Sequence, residues 1–77
     1  MIIFALWDAA AGALTGEYPT EADALEAVYR AVQKAGAEAL AGYALLRDDG
    51  EHDPVLIAAD ADLATLAQRQ HVPARVR

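Results

Sequence analysis

The hydrophobic period of this chain changes abruptly at Tyr18-Pro19-Thr20-Glu21-Ala22-Asp23-Ala24-Leu25. Before this segment apolar residues alternate, as on a strand. After it they recur at helical spacing. Thr20 is placed to cap the new helix, because its hydroxyl can accept a hydrogen bond from an otherwise orphaned first-turn amide. Asp23 stands three positions on, where a capping-box acid would reach back to the amide of Thr20. A strand that ends at Tyr18 and a helix that begins after Thr20 restrict the chain to folds in which the two are nearest neighbours.

Upstream, Ile2-Ile3-Phe4-Ala5-Leu6-Trp7 is β-branched, aromatic and short, which reads as a strand. Asp8 to Gly12 reads as a hairpin loop closed by the positive φ open to glycine, and Ala13 to Tyr18 as the returning strand. Downstream, Leu25, Val28, Tyr29 and Val32 form one helical stripe, with Glu26 and Arg30 spaced as an i,i+4 pair and Gly36 as the terminator. Residues 37–41 fit either a further helical turn or a loop. Tyr43 to Leu46 and Val55 to Ala58 then flank the turn-rich run Arg47 to Pro54. Asp60 or Asp62 can cap a second helix that turns Leu63, Leu66 and Ala67 inward and stops at Pro73. The expected architecture is α+β, in the order ββαββα: a four-stranded antiparallel sheet with the helices packed on one face. Residues 1–70 form a single domain and 71–77 a frayed tail.

Which sheet face the helices cover follows from alternation. With a four-residue loop at 9–12, one face of the first hairpin carries Ile3, Ala5, Trp7, Leu14, Gly16 and Tyr18. The small residues Ala5 and Gly16 leave room for a helix, so the helices are expected there. The other face carries Ile2, Phe4, Leu6, Ala13, Thr15 and Glu17. It is then left as an apolar patch open to water, and such a patch on a sheet marks a binding surface. Ile2, Phe4, Leu6, Thr15 and Glu17 are accordingly the interface candidates. Folding of segment 60–77 over the same patch is the competing arrangement.

Composition sharpens this expectation. A domain of 77 residues buries only about 60% of its unfolded surface, and with no Cys it has no disulfide or thiolate zinc site to brace it. Association with a second copy is the remaining support, in keeping with a hydrophobic content of 56%. Twelve acids against six Lys and Arg give a net charge of −6, which repels nucleic-acid phosphates. Met1 to Leu6 lacks the basic flank of a signal peptide, and no apolar run approaches the ~20 residues that span a bilayer. The expected location is cytoplasmic. Heavy use of Ala and Arg with one Lys points to a GC-rich genome.

Chemistry-bearing constellations are sparse. Asp48, Asp49, Glu51, His52 and Asp53 cluster in the second hairpin turn, but their spacing is not that of an EF-hand loop, and a solvated turn accounts for them. His71 has no acid or serine placed to work with it. The hydroxyls are Thr15, Thr20, Thr65 and three tyrosines, and no glycine-rich loop joins a strand to a helix as a phosphate cradle. No catalytic residue, cofactor or metal site is expected.

The string Trp7-Asp8, Gly12 and Tyr18 to Leu25, followed by a Leu-rich strand and an acidic turn, resembles many short proteins of high-GC bacteria. That likeness covers roughly residues 4–60 and implies a ββαββ layout. The hairpin leading into a helix that opens with Thr20, Asp23 and Ala24 is also similar to HicB-like antitoxins, although those usually have a third strand before the helix. Independently of that resemblance, the acidic surface suits a basic partner, including a toxin or a nucleic-acid-binding protein whose charge it masks.

The expectation is therefore a small acidic, non-enzymatic protein-interaction module. It is homodimeric through a sheet face or strand edge and engages a basic protein partner with its acidic surface. The alternative is a small-ligand or metal-binding regulatory domain with a pocket between the sheet and Trp7, Tyr18 or Tyr43. A third reading is an enzyme subunit whose site forms only between copies.

Overall fold

The computed structural model describes residues 1–70. Strand β1 (Ile3–Asp8) and β2 (Ala13–Tyr18) form the first hairpin, followed by helix α1 (Glu21–Ala35) and a 3₁₀ turn (Ala37–Leu40). Strands β3 (Tyr43–Asp48) and β4 (Val55–Ala59) form the second hairpin, and helix α2 (Asp60–Gln70) follows it directly. All neighbouring strands run antiparallel in the order β2-β1-β3-β4, so α1 carries the chain across β1 from one side of it to the other. The expected α+β architecture is present. Pro73, His71 and the tail expectation lie outside the described residues.

Helix α1 begins as its sequence dictates. Thr20 is extended (φ −134°, ψ 158°), and its Oγ1 accepts the Asp23 amide at 3.1 Å. Only half of the capping box forms: among the described residues, no bond returns from the Thr20 amide to the Asp23 carboxylate. Aspartate is one methylene shorter than the glutamate that usually closes the box. At the other end Gly36 adopts φ 88°, and its amide donates to the Val32 carbonyl at 2.7 Å. Arg30 and Glu26 pair on the exposed side at 3.2 Å, a contact worth about 0.3–0.5 kcal/mol.

The core lies between the helices and the sheet. Leu25, Val28 and Val32 of α1 meet Leu63, Ala64 and Ala67 of α2, with Leu6 of β1 and Leu45 of β3 beneath them. Leu40, ambiguous in sequence, is 1% exposed and closes one end of this core from the 3₁₀ turn. Full burial of a leucine stabilises by roughly 1.5–3 kcal/mol, so in so small a domain this one turn carries a sizeable share.

Two details of the sheet decide everything downstream. Asp8 and Trp7 pair with Ala13 and Leu14 as a four-residue loop requires, but Leu6 pairs with Gly16 and Phe4 with Tyr18. Thr15 is therefore an extra residue, a β-bulge in β2. A second bulge sits in β4, where Leu45 faces Ala58, Leu46 faces Leu56, and Ile57 is the extra residue. Each bulge lies in an edge strand.

The bulge at Thr15 overturns the expected assignment of faces. Beyond it, Gly16 and Tyr18 join Leu6 and Phe4 instead of Trp7 and Leu14. Leu6, 5% exposed, lies in the core, and Phe4 and Tyr18 pack against that core. The helices thus cover the Phe4/Leu6 face, not the Trp7 face. Physically, Leu6 stacks in register with Leu45 across β1 and β3 and fills the space beneath the helices, which the small Ala5 could not.

Candidate functional site

With both helices on one side, no helix or loop among the described residues covers the other side of the sheet. Cross-strand register brings Leu14 and Glu17 of β2, Ile3, Ala5 and Trp7 of β1, Ala44 and Leu46 of β3, and Leu56 of β4 onto it. Trp7 is 39%, Leu14 44% and Leu56 57% exposed. Glu17, beside Ala5, and Asp48, beside Ile3, supply its polar positions. Four strands about 4.8 Å apart and six residues rising about 3.3 Å each make a face of roughly 19 by 20 Å. A solvated antiparallel face ordinarily alternates to polar residues, and this one does so at only a few positions.

The interface candidates therefore divide. Glu17 is on the open face. Ile2, 40% exposed, precedes β1 and shares the Phe4 side by alternation. Phe4 and Leu6 are packed beneath the helices, and Thr15 is the exposed bulge residue. Trp7, Leu14, Leu46 and Leu56 were missed as members of an exposed patch. Their alternation within each strand was readable, but the relative phase of the hairpins was not.

A second feature lies on the helix side. Where α1 passes over the first hairpin it leaves a cleft of about 260 Å³, floored by Leu6, Thr15 and Tyr18 and walled by Val28, Ala31 and Ala35 of α1. Leu40 and Tyr43 close one end, and Lys34 is the one cation among the described residues that line it. Of the aromatic residues expected to surround a pocket, Tyr18 and Tyr43 line this cleft, whereas Trp7 lies across the sheet from it.

The acidic turn is organised by its own backbone. Asp48 Oδ1 accepts the Gly50 amide at 2.8 Å, and Asp49 Oδ1 accepts the amides of Glu51 and His52, each at 2.8 Å. Asp49 Oδ2 meets His52 Nδ1 at 2.8 Å. The donated amides of His52 and Glu51, then the His52 ring, hold the Asp49 carboxyl down from 3.8 to about 2. Its oxygens are already engaged by the turn. Among the described residues no three His, Asp or Glu side chains are grouped to hold a metal ion.

At the β4–α2 junction Asp60 adopts φ 52° and its Oδ1 accepts the Gly42 amide at 2.6 Å. The carboxylate expected to cap α2 is thus tied to the start of β3. Among the described residues, no helix is long and apolar enough to cross a membrane. No protein-family model, curated protein or solved structure matches the chain.

Proposed function

We propose that this protein is a small, non-enzymatic interaction module that homodimerises through the open sheet face around Trp7, Leu14, Leu46 and Leu56. The supporting observation is that face itself: apolar and, among the described residues, uncovered, with both helices committed to the other side. Its roughly 19 by 20 Å extent, about 760 Å² over two copies, falls below the roughly 1,200 Å² of stable specific interfaces, so the dimer is weak, reversible and concentration-dependent. Strand-edge pairing is disfavoured, because each edge strand carries a bulge that interrupts its ladder.

Face-to-face association turns α1, with Glu21, Asp23 and Glu26, outward on both protomers. That outer surface suits a basic protein partner in the cytoplasm, in line with the similarity to HicB-like antitoxins. Two copies at −6 each repel one another, so salt, by screening that repulsion, strengthens the dimer. Light scattering of the wild type beside Leu56→Glu at low and high salt tests this reading. Loss of the dimer in Leu56→Glu with unchanged circular dichroism supports it; an equally dimeric, folded Leu56→Glu refutes the assigned face.

A further inference from the structure

We infer that the cleft between α1 and the first hairpin is a binding site for a small amphipathic monocarboxylate, held by its apolar part against Tyr18, Ala31, Ala35 and Ala39 and by its carboxylate at Lys34. The site is on the opposite side of the sheet from the proposed dimer face, so the two readings stand or fall separately. It would take a ligand smaller than a typical drug, because its volume of about 260 Å³ falls just below the range of about 300–1,000 Å³ for drug-sized pockets.

Three observations define the ligand's chemistry. The walls are almost wholly hydrocarbon, contributed by Leu6, Val28, Ala31, Ala35, Ala39 and Leu40. The alanines of α1 leave the volume open where larger side chains would close it. The charge distribution then selects the sign of the headgroup: the chain has twelve acids, yet none of them lines the cleft, and Lys34 does. Lys34 forms no ion pair among the described residues, so its ammonium is available to a carboxylate. Thr15, Tyr18 and Tyr43, each of which carries a hydroxyl, line the same cleft.

The floor is built for this purpose by Gly16. A Cβ there would lie 2.7 Å from the Tyr18 hydroxyl. Only with glycine at this position does the tyrosine ring lie back along β2 and pave the cleft without standing up into it. An apolar slot with one cation and a few hydroxyls discriminates by headgroup more than by tail.

The test is an amide chemical-shift titration of the ¹⁵N-labelled full chain with sodium octanoate, run in parallel with octan-1-ol. Saturable shifts are expected at Leu6, Ala31 and Leu40, with octanoate binding about tenfold tighter than the alcohol, as a charge-assisted contact requires. In Lys34→Gln, a surface change that leaves the core untouched, that preference disappears while the alcohol binds as before. Ala31→Phe, which fills the cleft, abolishes binding of both. Absence of saturable shifts at the cleft, or a preference for octanoate that survives Lys34→Gln, overturns the inference.

Discussion

The hydroxyl of Tyr18 lies over the backbone of Gly16, two residues earlier on the same strand face, so closely that a Cβ at Gly16 would come within 2.7 Å of it. The two residues share a face because their strand positions differ by two. Glycine in a strand interior ordinarily weakens the strand by about 0.5–1 kcal/mol relative to alanine, and here that cost is offset by seating the ring against the core. Gly16→Ala is expected to destabilise the wild type by about 1 kcal/mol as the ring is displaced. In a Tyr18→Ala background the same change becomes neutral or stabilising. Urea denaturation of the four proteins measures this coupling as a double-mutant cycle.

Thr20 carries the junction between hairpin and helix through a single bond to the Asp23 amide. Thr20→Ala is expected to cost about 1 kcal/mol, and Thr20→Ser a few tenths at most, since serine retains the oxygen. Because the reciprocal bond is not made, Asp23→Ala removes only a favourable charge in the first turn. It should cost less than about 1 kcal/mol. Thermal unfolding followed by circular dichroism ranks the three.

Asp60 joins the two halves of the second motif, holding the Gly42 amide while itself at φ 52°. Asp and Asn tolerate that conformation better than other residues with a side chain. Asp60→Asn should therefore be close to neutral. Asp60→Ala loses the bond and keeps the backbone strain, for an expected cost of about 1–3 kcal/mol by chemical denaturation.

Asp49 gives the second hairpin a dependence on acid. Its folded pKa is depressed from 3.8 to about 2 by the donated amides and the His52 ring. The stabilisation is therefore fully present above pH 4 and is lost as the pH falls through about 2. The amide resonances of Glu51 and His52 should titrate together across that range. Asp49→Asn removes the step, whereas a titration of these amides centred near pH 4 would show that the turn does not favour the charged carboxylate.

Much of the fold was legible because local rules and tertiary structure agree in it. The Leu25/Val28/Val32 stripe, the Thr20 cap, the Gly36 terminator and both hairpins appear at or within about two residues of where propensity and spacing place them. The sheet's facing was not legible. A bulge adds one residue without altering the alternating composition on either side, and Thr15 carries no mark that distinguishes it from a paired threonine. That single residue moves Tyr18 from the Trp7 face to the Phe4 face and turns the open surface over. Leu40 was obscure for a different reason: a four-residue 3₁₀ turn is too short to show a period. The link from Asp60 to Gly42 spans eighteen residues, so no local pattern announces it.

The open face around Trp7 is the feature on which the functional reading depends, and sedimentation equilibrium of the wild-type chain from low to high micromolar concentration tests it most directly. The expected result is a mass that rises with concentration from the 8.1 kDa monomer toward twice that value. Leu14→Glu, at a position 44% exposed on that face, should remain at the monomer mass throughout. A wild-type mass that stays at the monomer value at high micromolar concentration would contradict the dimer.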